Sequence, residues 1–168
     1  ARDDKNIYIA MPFYSNGSLS SLMAQKNLTS REIIRYGIQF LSGLNHIHSK
    51  GLMHFDIKPN NIMLSDRDEA LLTDFGLSAK IDGDGLSSVS LFYTTHVPPE
   101  ILTQNRFNFT YDIYQAGMTL YRMAVGEAAF QNAVQEFFSD KDQERLQSRF
   151  AQGEFPPRNY PIHVHPAL

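Results

Sequence analysis

Four side chains near the middle of the sequence have the types and the spacing needed to move a phosphoryl group. Asp56, Lys58 and Asn61 stand close together, and Asp74 opens the sequence Asp74-Phe75-Gly76. A transferring γ-phosphoryl group passes through a loose, negatively charged transition state, which requires metal ligands, a cation and a residue that aims the attacking hydroxyl. The pattern therefore predicts magnesium-assisted phosphoryl transfer.

Each of the four residue types suits one role in this chemistry. Asn61 and Asp74 carry hard oxygen donors, and Mg²⁺ needs few protein ligands because it keeps waters and binds the phosphates. Lys58 follows Asp56 closely enough to hold the γ-phosphate and to keep Asp56 ionised. Because an ionised carboxylate is a weak base at neutral pH, we expect Asp56 to orient the hydroxyl and to accept its proton late.

Helical patterns upstream would position the loop that carries Asp56. Residues 19–25 predict a short helix, and the capping-box pattern of Thr29 and Glu32 precedes apolar residues at helical spacing. The second pattern predicts a helix of about five turns. Gly51 is expected to be its left-handed C-terminal cap, after which the chain enters the loop.

Further patterns predict the remaining elements. The apolar runs Ile62-Met63-Leu64 and Ala70-Leu71-Leu72 predict a small β-hairpin, and residues 6–13 predict a strand. Residues 113–125 are apolar on almost every helical face, which indicates a buried helix. Residues 137–152 are mostly polar and predict an exposed helix that ends at Phe155-Pro156-Pro157.

Interruptions and aromatic residues in these patterns have simple interpretations. Gln115, Thr119 and Arg122 break the apolar run over residues 113–125, which is also too short to span a bilayer. The aromatic side chains between residues 107 and 121 are expected in the core rather than in a base-stacking platform, because no basic residues interleave them.

The motifs together resemble those of a eukaryotic-type protein kinase. Residues 97–100 (Val-Pro-Pro-Glu) resemble the Ala-Pro-Glu motif of that family, residues 112–117 resemble its Asp-x-Trp-x-x-Gly motif, and Lys58 is typical of the serine/threonine branch. The resemblance implies an α+β protein kinase-like fold, represented here by the mainly α-helical C-lobe with a short β-hairpin at the active site. Residues 1–17 would then be the last N-lobe strand and the hinge. Residues 18–168 would be the C-lobe, truncated before its final helices.

The same resemblance implies a binding site for ATP and Mg²⁺. Met11 falls at the gatekeeper position, the Pro12 carbonyl would accept a hydrogen bond from the adenine amino group, and the Tyr14 amide would donate one to the ring. Met63 would cover the adenine face, and Ser18 stands where the family often contacts the ribose.

Other family positions carry supporting or substrate-facing roles. The resemblance implies that His54 and Phe75 serve packing and that Asp112 anchors the backbone of the catalytic loop, by which we mean residues 53–61. Thr94 or Thr95 would take the substrate-proximal threonine role, and the sequence does not choose between them because the motif fits only with a gap.

The chain departs from the family pattern at three informative positions. Phe55 stands where the family often has an arginine that pairs with a phosphorylated activation-loop residue, and a phenyl ring cannot make that bidentate contact. We therefore expect activity without activation-loop phosphorylation. Asn60 and Arg122 occupy positions that are acidic in arginine-directed relatives, so no preference for arginine upstream of the target hydroxyl is expected.

The composition of the chain limits the kinds of partner that it is expected to bind. The net charge of -3, with scattered lysines and arginines, disfavours nucleic acid and anionic membrane surfaces, and the sequence has no cysteine for a disulfide or a thiolate metal site. The expected partners are a protein substrate and the chain's own N-lobe, which would be missing from an internal piece of this kind. A cytoplasmic location is expected, with no membrane segment in this chain and no nucleic acid partner.

Three alternative interpretations stay open. A catalytically inactive kinase-like scaffold would keep the fold, and its small lobe would lack the phosphate-pairing lysine. A small-molecule phosphotransferase of kinase-like fold would share the spacing of Asp56 and Asn61, although such enzymes usually lack the Asp-Phe-Gly form. His46 and His48 suggest a metal site, but residues two apart point to different faces of a helix.

Overall fold

The computed structural model describes residues 8–81, 96–98, 107–139 and 142–155. Its helices are α1 (Leu19–Gln25), α2 (Ser30–His48), α3 (Phe109–Val125), α4 (Glu127–Phe138) and α5 (Gln143–Ala151). Its strands are β1 (Leu52–Met53), β2 (Ile62–Leu64), β3 (Ala70–Leu72) and β4 (Ala79–Lys80), and a 3₁₀ turn at Pro59–Asn61 precedes β2.

Helix α2 has the bounds and the caps that its sequence predicts. The Thr29 side chain accepts a hydrogen bond from the Glu32 amide at 3.3 Å, and the Glu32 carboxylate accepts one from the Thr29 amide at 2.8 Å. Loss of such a cap typically costs about 1 kcal/mol. At the other end Gly51 has φ +70°, a left-handed conformation that glycine adopts without a Cβ clash. The chain thus turns sharply from α2 into the catalytic loop.

Two antiparallel hairpins flank the catalytic loop. Strands β2 and β3 pair with Met63 opposite Leu71, as predicted, and strands β1 and β4 pair with Met53 opposite Ala79, which no sequence pattern indicated. The turn between β2 and β3 is fixed to α2, because the Tyr36 hydroxyl donates a hydrogen bond to Asp68 at 2.6 Å. This hairpin therefore keeps a fixed position against α2.

Helix α3 lies at the centre of the described fold. Its side chains enter each of three hydrophobic clusters: one with α1, α2 and the β2–β3 hairpin, one with α4 and α5, and one around Phe55. Gly37 allows α2 to approach α3 closely, since a Cβ there would lie 3.0 Å from a Leu120 methyl group. The helix is buried as predicted, apart from an exposed strip that includes Ile113.

Two predicted elements are not observed. Residues 8–13, the described part of the predicted strand, have no regular secondary structure, because a strand requires a hydrogen-bonded neighbour and none of the described residues provides one. The predicted exposed helix over 137–152 is wrong as well. Phe137 lies in the last turn of α4 and Phe150 lies in α5, and both are buried in the same cluster. None of the helices in the described ranges is long and apolar enough to cross a bilayer.

Candidate active site

The catalytic loop is fixed to α3 through backbone hydrogen bonds. The fully buried carboxylate of Asp112 accepts hydrogen bonds from the amides of His54 at 2.7 Å and Phe55 at 2.9 Å, and it contacts the His48 ring at 2.8 Å. These bonds agree with the anchoring role implied for Asp112. His48 is thereby a structural residue, as the sequence interpretation favoured.

A second side chain of α3 holds the loop on both sides of Asp56. The carboxamide of Gln115 accepts a hydrogen bond from the Ile57 amide at 3.0 Å and donates one to the Phe55 carbonyl at 3.1 Å. The Thr119 hydroxyl adds a longer contact of 3.5 Å to the Ile57 carbonyl. The sequence analysis treated both residues only as interruptions of an apolar run. Polar residues at helical spacing after Asp112 were the signal that could have identified them.

Asp56, Lys58 and Asn61 converge as the sequence predicts. One carboxylate oxygen of Asp56 lies 2.9 Å from Lys58 Nζ and accepts a hydrogen bond of 2.7 Å from Asn61 Nδ2. Asn61 Nδ2 also donates to the Asp56 carbonyl at 2.9 Å. The amide group is therefore oriented with its nitrogen toward Asp56, which leaves its Oδ1 as the acceptor suited to a metal ion.

His54 connects the Asp56 side of the site to the Asp74 side. Its Nε2 donates a hydrogen bond to the Thr73 carbonyl at 3.0 Å, and its Nδ1 accepts one from the Asp56 amide at 3.3 Å. Burial lowers the pKa of His54, although the Thr73 carbonyl and nearby carboxylates oppose the effect. The ring also packs 5.0 Å from the Phe75 ring, so it bridges the two sides of the site.

Asp74 is presented to solvent in a left-handed backbone conformation with φ +63°. One of its carboxylate oxygens accepts a hydrogen bond from the Gly76 amide at 3.3 Å. Asp74, Asn61 and Thr73 lie on one wall of an open cavity of about 550 Å³. A carboxylate and an amide oxygen on the same wall match the donor set that Mg²⁺ prefers, so these residues fit the ion.

The other wall of this cavity consists of residues 11–14. Met11, Pro12 and Tyr14 line it, Met63 faces the same space from β2, and their contacts with adenine stay predictions. Ser18 is not among the lining residues. Its hydroxyl instead caps α1 by accepting a hydrogen bond from the Ser21 amide at 3.2 Å, and its backbone forms a bridge with Met63. Its contact with the ribose stays a prediction.

Phe55 lies in an aromatic cluster rather than at the surface. Its ring is 3% exposed and packs 5.6 Å from Phe107 and 5.5 Å from Tyr111, with Met53 in the same cluster. The space around residue 55 is therefore apolar and filled. An aromatic side chain suits this space, and a cationic side chain would find no counter-charge among the described members of the cluster.

A separate group of buried polar residues lies behind the loop. Arg122 is 3% exposed, and its guanidinium binds both carboxylate oxygens of Glu127 at 2.8 and 2.9 Å while lying over the Phe130 ring. Burial lowers the pKa of the neighbouring His96 to about 3, and the charges of Arg122 and Lys58 add to the effect. Arg122 is thus engaged within the protein. Thr94 and Thr95 lie outside the described residues.

A helical lobe that holds a loop aspartate, lysine and asparagine against an Asp-Phe-Gly segment has the architecture of a kinase-like fold. A family model described as the protein kinase domain matches residues 1–162. The chain therefore belongs to the protein kinase family.

Curated relatives carry protein kinase names, and two of the three described below are named serine/threonine-protein kinases. The chain is 35% identical over 77% of its length to mitogen-activated protein kinase kinase kinase 1b of Physcomitrium patens, of which it covers 17%. It is 32% identical over 76% of its length to the serine/threonine-protein kinase STE20 of Yarrowia lipolytica, of which it covers 11%. It is also 31% identical over 75% of its length to shk1/pak1 of Schizosaccharomyces pombe. The chain thus spans less than a fifth of the first two of these proteins.

Proposed function

We propose that this chain forms the catalytic half of a serine/threonine protein kinase, which transfers the γ-phosphoryl group of ATP to a protein hydroxyl. The observation that carries the proposal is the convergence of Lys58 and Asn61 on one carboxylate oxygen of Asp56, beside the cavity that Asp74 lines. The names of the relatives support the serine/threonine class.

Each residue has a physical role in this mechanism. Asp56 orients the substrate hydroxyl and takes its proton late, since Lys58 and Asn61 hold its carboxylate in a fixed position. Lys58 extends its positive charge toward the γ-phosphate. Asn61 and Asp74 would hold magnesium through their oxygens. When bound, the ion neutralises phosphate charge and fixes the reacting group.

The nucleotide would enter the cavity between residues 11–14 and Met63. The Pro12 carbonyl and the Tyr14 amide would pair with adenine, Met63 would cover one face of the ring, and Met11 would lie at the gatekeeper position. Thr94 or Thr95 would lie near the substrate. We propose that a small lobe supplies the glycine-rich loop and the phosphate-pairing lysine, and that the protein acts in the cytoplasm, where ATP is available.

The test is a magnesium-dependent phosphorylation assay on the full-length parent protein. General acid–base groups typically contribute about 10²- to 10⁴-fold to a rate, and we expect a loss in kcat of this order for Asp56→Ala. We expect a loss that added magnesium partly offsets for Asp74→Ala. Glu136→Ala, an exposed carboxylate on α4, is the matched control and should keep wild-type activity. Equal activity in all four proteins would contradict the mechanism.

A further inference from the structure

The Gln115 carboxamide makes two hydrogen bonds that bracket a single residue. Its Oε1 binds the amide of Ile57 and its Nε2 binds the carbonyl of Phe55, so it holds the peptide groups on both sides of Asp56. The side chain is 1% exposed. A primary amide suits this task because it offers a donor and an acceptor on one rigid group.

Asp112 cannot replace this contact. Its two carboxylate oxygens are already engaged by the His54 and Phe55 amides, both before Asp56, and by the His48 ring. The carbonyl of Phe55 and the amide of Ile57 therefore depend on Gln115 among the side chains of α3. Thr119 reaches the Ile57 carbonyl only at 3.5 Å.

The backbone at this point requires such support. Phe55 has φ +67°, which is uncommon for a bulky residue and persists only where the surrounding structure enforces it. Its ring is buried against Phe107 and Tyr111, which fixes the side chain but not the direction of the next peptide group. The carboxamide of Gln115 fixes that direction, and with it the starting point of the Asp56 side chain.

We propose that Gln115 is a positioning residue for phosphoryl transfer, which holds the Asp56 backbone in its reactive orientation from both sides. The proposal rests on the proposed function for its effect on the rate. Its structural part, the hold on the Ile57 amide, is measurable without any catalysis.

The first experiment compares Gln115→Met with Gln39→Met in the full-length protein. The Gln39 side chain accepts a hydrogen bond from the Ala70 amide at 2.9 Å, so its substitution removes a similar carboxamide contact at a distance from Asp56. We expect faster hydrogen exchange at the Ile57 amide in Gln115→Met and at the Ala70 amide in Gln39→Met. Unchanged protection of Ile57 in Gln115→Met would overturn the proposal.

Kinetics of the same two variants test the effect on the reaction. A small misplacement of a reacting group can reduce a rate by up to about 10²-fold, so kcat of Gln115→Met should fall about 10- to 100-fold. The KM for ATP should change less than about twofold, because the cavity wall formed by residues 11–14 is untouched. A wild-type kcat in Gln115→Met, or an equal loss in Gln39→Met, would contradict a positioning role.

A third variant, Gln115→Glu, supplies a readout that a purely structural role would not give. The neutral carboxyl offers the same donor and acceptor pair as the amide, whereas the ionised form offers only acceptors. Burial and the neighbouring Asp112 and Asp56 raise the pKa of such a group. The ratio of its kcat to the wild-type kcat should therefore rise as pH falls.

Measuring wild type and variant at each pH cancels the titration of the groups they share around this site, which are His48, His54, Asp56, Lys58 and Asp112. A ratio that stays low at every pH would contradict the proposal. If the wild-type protein transferred no phosphoryl group, the proposed function would fail. Hydrogen exchange at the Ile57 amide would still decide whether Gln115 holds the backbone there.

Discussion

The two walls of the cavity differ sharply in how they are held. On the wall that would bind metal and substrate, His54 and Ile57 of the adjoining loop are fully buried and bound to α3. On the wall that would bind adenine, Met11 is 73% and Phe13 is 90% exposed. The comparison shows that the groups for the chemistry are positioned within the described residues, whereas the adenine side makes few contacts with them.

The difference has a simple physical origin. Each peptide group of the catalytic loop that is removed from water needs a partner, and Asp112, Gln115 and the His54 ring provide one. On the other wall, the Tyr14 carbonyl accepts a hydrogen bond from the Gly17 amide, and the Ser15 hydroxyl donates one to Asp66. Both of these partners lie near the surface rather than in α3.

The substitution expected to destabilise the catalytic loop most is Asp112→Ala. It leaves two buried backbone amides and the His48 ring without their acceptor, and each buried polar group left without a partner typically costs about 1–3 kcal/mol. Urea-induced unfolding of the protein should show this loss. Ile113→Ala, an exposed neighbour on the same helix, should stay within about 0.5 kcal/mol of wild type. Similar losses in both variants would contradict the anchoring role of Asp112.

The same substitution in the catalytic loop and in residues 11–14 sharpens the comparison. Phe55→Ala removes a ring buried against Phe107 and Tyr111 and should lower the free energy of unfolding by about 3 kcal/mol. Phe13→Ala removes a ring that is 90% exposed and should change it by less than about 0.5 kcal/mol. Thermal unfolding of both variants would measure the difference. Equal effects would show that the two walls are held alike.

The contact of Glu32 with Lys26 and Thr29, at the start of α2, should have a smaller, pH-dependent effect on stability. Hydrogen bonds from Lys26 and Thr29 lower the pKa of Glu32 from 4.5 to about 2. Because the pKa is depressed in the folded state, the stabilisation is present above pH 4.5 and is lost as the pH falls toward 2.

Lys26 is 48% exposed, so solvent screening limits this contribution to about 1 kcal/mol. Glu32→Gln should be less stable than wild type by that amount at neutral pH, and unfolding curves at decreasing pH should show the two proteins converging. A constant difference at all pH values would contradict the assignment to ionised Glu32.

The smallest expected effect concerns phosphorylation. Since Phe55 cannot pair with a phosphate, phosphatase treatment of the full-length kinase should change kcat by less than about twofold. Alanine at Ser87, Ser88 and Ser90, which lie outside the described residues, should have the same outcome. A collapse of activity in either experiment would refute the expectation.

Local patterns predicted the elements beneath the site. The bounds of α1 and α2 follow from caps and apolar spacing within the segments themselves, and the β2–β3 hairpin follows from two apolar runs close in sequence. The pairing of β1 with β4 could not be predicted, because each strand has only two residues and the pairing joins distant parts of the chain. The error over 137–152 arose because a mostly polar composition concealed Phe137 and Phe150, which are buried in one cluster.

Sequence spacing predicted the charged residues of the site and the family resemblance implied the anchor Asp112, but neither identified Gln115. The spacing of Asp56, Lys58 and Asn61 identified side chains that meet in the fold. Gln115 was missed because sequence spacing gives no information about which backbone groups a buried amide reaches after α3 packs against the loop. The neutral state of His96 likewise depends on burial and on charges from other elements.

The packing around Phe55 also constrains the order in which this sequence could change. Arginine at this position would place a guanidinium among Met53, Phe107 and Tyr111, where burial without a counter-charge is costly. Polar partners would have to arise in those neighbours first, and each such change alone would weaken the present cluster. The aromatic side chain is thus coupled to its neighbours: a phosphate-binding arginine at this position would require several coordinated substitutions.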